Sequence, residues 1–261
     1  ITELKAAEYL ITQRQRLKNF QGESFPTISA FGDHAAIVHY HPDHQTDAVL
    51  KEGSLCLIDS GGQYLEGTTD TTRTIAIGKP TSEQKDRFTR VLKGHIAVAT
   101  AVFPKGTTGS QLDILARQFL WQIGLDYEHS TGHGIGTYLN VHEGPHRIGK
   151  KADHVPLQPG MLVTNEPGYY KSGEYGIRIE SVLLVIDLDN DFLGFKTLTL
   201  IPIDHNLIDI SLLTCQEISW LDAYHAEIYH KLSSRVDMQA KSWLEEATKS
   251  VKFSDVQLKS S

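Results

Sequence analysis

Two segments of this chain are built alike, and their likeness limits what it can fold into. Residues 54–78, SLCLIDSGGQYLEGTTDTTRTIAIG, hold two β-rich runs joined by a glycine-containing turn, which predicts a hairpin. Farther on, MLVTNEPGYY and YGIRIESVLLVI read as strands around a turn, and FKTLTLIPI (195–203) as a third. Each block is followed by helix. Thr81 starts one, with Gln84 as its capping-box partner, an apolar stripe of Phe88, Val91, Leu92, Ala99 and Val102, and Pro104 as its stop. Ser110 opens a second helix (Leu112, Leu115, Ala116, Phe119, Leu120, Ile123) that Gly124 closes. After the second block, Thr214 and Glu217 cap a helix carrying Ile218, Leu221, Ile228 and Leu232. Residues 3–20 read as an amphipathic helix with Leu4, Ala7, Leu10, Ile11 and Leu17 near one face. No Gly/Ser-rich linker separates the halves. The expectation is one α+β domain over residues 1–261 with a weak internal repeat.

Composition narrows the function classes. A hydrophobic fraction of 40% with 22% charged residues suits a globular protein with a real core. The net charge of −7 gives no basic footprint for nucleic acid. No apolar run approaches the roughly 18 residues of a membrane span, and no basic-then-apolar leader opens the chain. Two cysteines, Cys56 and Cys215, make no disulfide framework and fit a reducing compartment, so the expected location is cytoplasmic. Histidine is distributed unevenly: of 13, four fall between His34 and His44 and five between His129 and His154. Such clusters are a sign of a site.

Five residues are candidate metal ligands. Asp59 ends the run LCLID and, alone, reads as a turn acid. Asp70 lies inside TTDTTRT, where a short carboxylate is disfavoured in a strand and wants a cation or several donors. A hairpin sets Asp59 and Asp70 across from each other, repelling unless something positive lies between; Arg73 is the plain structural alternative to a metal. In NEPGYY, Pro167-Gly168 fits the centre of a type II turn, which would make Glu166 a routine turn residue. In GIRIES, Ile177 and Ile179 face one side while Arg178 and Glu180 face the other, an arrangement that an exposed ion pair also explains. HSTGHGIG is a poor dinucleotide fingerprint; its glycines instead let backbone pass close to a crowded site and hold His133. Together, Asp59, Asp70, His133, Glu166 and Glu180 are four carboxylates and an imidazole, a set suited to hard divalent ions such as Mn²⁺ rather than to a thiolate zinc site. Two such ions neutralise four carboxylates and, about 3.5–4 Å apart, form the two-metal hydrolase arrangement.

At these residues a family resemblance emerges. LIDSGGQYLEGTTDTTRT, STGHGIGTYLNVHEGP, NEPGYY and GIRIES resemble, in order, the metal-site motifs of aminopeptidase P in the pita-bread peptidase family, over about residues 30–232. The resemblance implies a pita-bread fold, two related α/β halves around a curved antiparallel sheet, with a dinuclear and commonly manganese site. It implies that Asp59 and Asp70 are the first two ligands, Asp70 bridging. His133 then binds one metal, and Glu166 and Glu180 complete the set, Glu180 bridging. Glu166 also resembles the residue that takes a proton from the bridging hydroxide. His39 in IVHYHP, His129 in HSTGH and His142 in NVHEGP resemble the histidines that bind substrate and stabilise the transition state. Arg178 resembles an arginine that orients a ligand carboxylate. The implied substrate is a peptide with N-terminal Xaa-Pro, and the implied assembly a homodimer. The nine residues from His133 to His142 are similar to the three-domain form, so N-terminal domains are expected ahead of this one. Prolidase is the nearest rival, since the same metal site cuts Xaa-Pro dipeptides. Methionine aminopeptidase lacks the GIRIE context, a creatinase-type hydrolase needs no metal, and non-catalytic pita-bread binding proteins have typically lost ligands that this chain keeps.

Overall fold

The computed structural model describes residues 1–152 and 154–251. The first half runs α1 (Glu3–Gln15), β1 (Phe20–Glu23), β2 (Ile28–Phe31), β3 (Ser54–Ser60), β4 (Gly62–Tyr64), β5 (Gly67–Thr68) and β6 (Thr71–Ile77). Helix α2 (Ser82–Ala99), the short β7 (Phe103–Pro104) and α3 (Gly109–Trp121) follow. The second half holds β8 (Gly132–His133), β9 (Arg147–Ile148), β10 (Leu162–Asn165), β11 (Gly168–Lys171), β12 (Tyr175–Arg178), β13 (Ser181–Asp187) and β14 (Phe192–Thr197). It ends with α4 (Cys215–Leu232) and α5 (Met238–Ala247). Thr81 and Thr214 each close a capping box with the Gln or Glu three residues on, so the starts of α2 and α4 are written in local sequence, whereas α3 starts at Gly109 rather than at Ser110, with the Gln111 side chain accepting from Thr108 N.

Each half is organised by an antiparallel sheet: β2–β3–β6 in the first, β10–β13–β14–β7 in the second. They meet where β6 runs beside the end of β12, which pairs with β11, and the link from β12 into β13. The Thr74 hydroxyl bonds both the N–H and the carbonyl of Arg178, at 3.0 Å each, and Glu180 N donates to Thr72 O at 3.1 Å. Alternation does the rest. Ile177 and Ile179 enter a core with Leu55, Phe88, Leu92 and Leu221 from β3, α2 and α4, while Arg178 and Glu180 face the opposite side. A second core joins Val98 and Ala116 of the helices to Ile148, Val163 and Leu183. Each such side chain, fully buried, contributes roughly 1.5–3 kcal/mol, and Leu92→Ala is expected to cost about 2–5 kcal/mol.

Several sequence expectations are corrected. Helix α1 stops at Gln15 rather than residue 20; Asn19 takes a left-handed φ of 69° and Leu17 is exposed. Helix α2 ends at Ala99, before Pro104, and Val102 points to solvent. The last strand spans 192–197, not 195–203. Beyond it, carbonyls that a neighbouring strand would meet are taken by side chains: Arg73 bonds Ile201 O and Pro202 O, and Tyr224 OH bonds Thr199 O and Ile201 O. Gly168 lies within β11, paired with Arg178, and the turn falls at Gly173 with φ 73°. Asp59 pairs in register with Thr72, not Asp70, because the chain detours through β4 and β5, with β4 pairing to β1. Arg73 does not separate the aspartates; it faces away from them. Arg178 and Glu180 are buried, which excludes the exposed ion pair.

Candidate metal centre

The two sheets leave a cavity of about 390 Å³ between them, lined by Asp59, Asp70, His133, Glu166, Arg178 and Glu180, with His39, His129 and His142 around it. Asp59 comes from the end of β3, Asp70 from the approach to β6, Glu166 from the link between β10 and β11, and Glu180 from the link between β12 and β13. His133 is carried on β8. Gly132 beside it has no room for a side chain, because a Cβ there would lie 1.8 Å from Thr164 O. That close approach lets the His133 N–H donate to the Thr164 hydroxyl oxygen at 2.9 Å, and the same hydroxyl donates to Glu166 Oε1 at 3.1 Å.

Ligand atoms of Asp70, His133 and Glu180 lie within 4.8 Å of one another. His133 Nε2 is 3.3 Å from Asp70 Oδ2 and 3.4 Å from Glu166 Oε1. Asp59 sits at the flank, where Arg178 Nη2 donates to its Oδ2 at 2.8 Å. Residues absent from the sequence reading complete the frame. The Thr72 hydroxyl donates to Glu180 Oε2 at 2.7 Å and accepts from Arg178 Nε at 3.1 Å. Arg178 Nη1 donates to the Tyr170 hydroxyl, which is 2.8 Å from His129 Nε2. Thr72 had a legible signal, since it lies two positions after Asp70 in an alternating run. Tyr170 had none beyond proximity to Glu166.

The electrostatics fit a bound cation. Burial pushes the Glu166 carboxyl up to about 7, with Asp70 adding to the push against the pull of His133. Burial, then Asp70, Asp59 and Glu166, hold Glu180 well above the usual carboxylate range. Burial also raises Asp59, against the pull of Arg178. On His133 burial opposes charge, but the hydrogen bond to Asp70 and the charge of Glu166 win, and its pKa rises to about 9. In effect a proton on Nε2 stands where positive charge is wanted. His133 Nδ1 lies 2.9 Å from Gly134 O; a carbonyl only accepts, so Nδ1 carries a proton and Nε2 faces the carboxylates, the orientation of a metal-binding imidazole. Asp59 Oδ1 is buried with no hydrogen-bond partner among the described residues, a cost that a cation removes. Oxygen-rich donors and one imidazole are a hard-cation set, so these residues fit a divalent ion.

The outer histidines differ. Burial, then Arg178, pushes His129 down to about 3, and its Nδ1 donates to Ser130 O at 2.8 Å, leaving Nε2 to accept. The exposed His142 stacks edge-on to His133 with ring centres 4.1 Å apart, and burial followed by His133 lowers its pKa. His39 is exposed at the rim. Against these, Phe25, Pro26, Ile28, Val38 and Val141 make an apolar side to the cavity.

A curled antiparallel half-barrel with converging carboxylates is the pita-bread architecture of a metal-dependent hydrolase. The chain belongs to metallopeptidase family M24, whose profile matches residues 1–187, with the C-terminal region of that family matching 191–251. It is 52% identical over 255 residues to a protein of Laccaria bicolor named "Probable Xaa-Pro aminopeptidase P", covering 94% of this chain and 40% of that one. Aminopeptidase P1 of Lotus japonicus is 50% identical, over 96% of this chain and 39% of its own. Among solved structures, the X-prolyl aminopeptidase of Caenorhabditis elegans, described as cytosolic with a di-nuclear active site, superposes with a TM-score of 0.92 at 43% identity, over 96% of this chain and 42% of that one. Prolidase from Pyrococcus furiosus gives 0.67 at 32%, over 76% and 55%. The chain thus spans about two-fifths of the length of the curated relatives it matches. Among the described residues, no helix is long and apolar enough to cross a membrane.

Proposed function

We propose that this chain is the catalytic part of a two-metal Xaa-Pro aminopeptidase, which removes the first residue from peptides with proline second. The observation that carries the reading is the convergence of four carboxylates and one imidazole on a cavity where an Asp59 oxygen meets no partner among the described residues, in a chain about half identical to proteins named as aminopeptidases P. Asp59, Asp70, His133, Glu166 and Glu180 would hold two divalent ions, as in the di-nuclear C. elegans enzyme; the oxygen-rich set favours Mn²⁺. When bound, such ions polarise a carbonyl and supply a nucleophilic water near neutral pH.

The chain's own groups do the rest. The Glu166 carboxylate, which lines the cavity, can take a proton from water and return it to the leaving nitrogen. That return matters because the proline nitrogen carries no hydrogen and departs poorly unprotonated. Arg178 orients Asp59 and, through Tyr170, fixes the acceptor face of His129. His129, His142 and His39 ring the cavity and contact the groups around the scissile bond, while the apolar side receives the pyrrolidine ring. Residues 1–261 act as a single catalytic domain in this reading. The location is cytoplasmic, like that of the C. elegans enzyme, and sedimentation of the full-length protein tests a homodimer.

The deciding assay uses full-length, Mn²⁺-loaded protein. Release of the first residue from Xaa-Pro-Yaa is expected, with weak cleavage of Xaa-Ala-Yaa and none of N-acetylated peptides. Equal cleavage of alanine and proline peptides removes the Xaa-Pro specificity, and activity confined to Xaa-Pro dipeptides makes the protein a prolidase.

A further inference from the structure

Asp113 and Arg117 stand one turn apart on α3, both buried, Arg117 completely. Withdrawing a guanidinium and a carboxylate from water is costly unless nearly every donor and acceptor finds a partner. Here one short stretch of chain supplies those partners. Arg117 Nε donates to Asp113 Oδ2 at 2.6 Å; its other bonds leave the helix, Nη1 reaching Asp126 Oδ1 at 2.9 Å and Tyr127 O at 2.6 Å, and Nη2 reaching His129 O at 2.8 Å. The Tyr127 ring lies 3.9 Å from the guanidinium carbon. Asp113 Oδ1 accepts from the Thr131 hydroxyl at 2.6 Å, and Thr131 O accepts from Glu166 N at 2.7 Å. A pair serving only its helix would end at the helix. This one grips the backbone on either side of His129 and, through Thr131, the backbone of Glu166.

We propose that Arg117 and Asp113 are positioning residues for the peptidase reaction: they fix where His129 and Glu166 stand, without touching substrate. The inference rests on the aminopeptidase reading for its kinetic consequence and on geometry alone for the placement. Misplacing groups at a reacting centre from a distance costs up to about 100-fold in rate. Arg117→Lys keeps a cation beside Asp113 but cannot fork to Tyr127 O and His129 O.

In full-length, Mn²⁺-loaded protein, Arg117→Lys is expected to lower kcat by about 10–100-fold with KM little changed and metal content unaltered. Introduced into a His129→Ala background it should cost clearly less than in the wild type, because the part that acts through His129 is already lost and only the part through Glu166 remains. Thr131→Val, which leaves the ion pair intact and removes its link to Thr131, serves where the lysine variant fails to fold, and the same split between kcat and KM is expected. Hydrogen exchange gives a second readout that survives failure of the aminopeptidase reading: amides of residues 127–133 and of Glu166 should exchange faster in either variant, with β2 and β3 unchanged. An unchanged kcat in an active enzyme, an equal loss in the His129→Ala background, or exchange that is unaltered or uniformly raised overturns the proposal.

Discussion

Arg178 Nη2 and Asp59 Oδ2 lie 2.8 Å apart in a pair almost wholly withdrawn from solvent, while the other oxygen of the same aspartate has no hydrogen-bond partner among the described residues. The arginine occupies one oxygen of a carboxylate that lines the cavity and leaves the other for a cation. Losing a group that orients a ligand typically costs 10–100-fold in metal affinity. Arg178→Gln is therefore expected to weaken Mn²⁺ binding by about that factor, read by equilibrium dialysis. Undiminished affinity would mean that Asp59 needs no orienting partner.

The metal-free protein should lose stability as pH rises. Glu166 is raised from 4.5 to about 7, chiefly by burial. His133 is raised from 6.5 to about 9, its bond to Asp70 and the charge of Glu166 overcoming burial. A folded pKa above the unfolded one gives stability that is complete below the unfolded value and lost through the folded value. The losses span pH 4.5 to about 7 for Glu166 and 6.5 to about 9 for His133. Buried His95 and His225, both pushed down to about 3 by burial, act in the opposite sense below 6.5. The window from 6.5 to about 9 thus isolates the site. Calorimetry in EDTA should give a falling Tm across it, and saturating Mn²⁺ should flatten or invert the slope, since metal displaces protons. A rising Tm without metal would contradict the assigned ionisation.

Much of this was legible because it is local. The capping boxes at Thr81 and Thr214 and the alternation through Ile177, Arg178, Ile179 and Glu180 depend on residues a few positions apart. What was not legible depends on distant partners. Arg73 looked like a counter-ion to the aspartates beside it, but its partners are the Ile201 and Pro202 carbonyls, more than a hundred residues away. The overlong last strand failed for the same reason, and nothing around Arg117 announces that it holds residues 126–129.

Glu3 makes a stability test far from the ligands. Its carboxylate is fully buried in the first turn of α1. Oε1 accepts from Phe31 N at 2.6 Å and meets His34 Nδ1 at 2.9 Å; Oε2 accepts from the Tyr40 hydroxyl and Ala48 N, each at 3.0 Å. This clasp ties down the segment that carries His39 and His41 to the cavity. Glu3→Gln replaces one acceptor with an amide that faces donors, so a loss of about 2 kcal/mol or more is expected in urea unfolding of metal-loaded protein. A loss below about 0.5 kcal/mol, the size of an ordinary surface substitution, would show that the segment holds without it.

The histidines should separate into those that act and those that hold. His129 and His142 line the cavity, the first with its acceptor nitrogen held by Tyr170 and the second edge-on to His133. Alanine at either should lower kcat by about 10²–10³ with folding intact, the usual cost of a lost acid–base or oxyanion contact. His146 is buried and its Nε2 lies 2.6 Å from Leu162 O, on β10, which leads to Glu166. Since a carbonyl accepts, the ring donates there, and His146→Ala leaves that carbonyl only the longer bond from Ile135 N at 3.3 Å and opens a cavity. Its expected signature is a lower Tm, about 1–3 kcal/mol of stability, with kcat per folded molecule near the wild-type value. His154 is exposed, and alanine there should change neither quantity. Kinetics and calorimetry on the same four variants test the division. A kcat loss at His146 equal to that at His142, in protein of unchanged Tm, would make it part of the chemistry, and a His142→Ala enzyme of normal kcat would remove that residue from the substrate site.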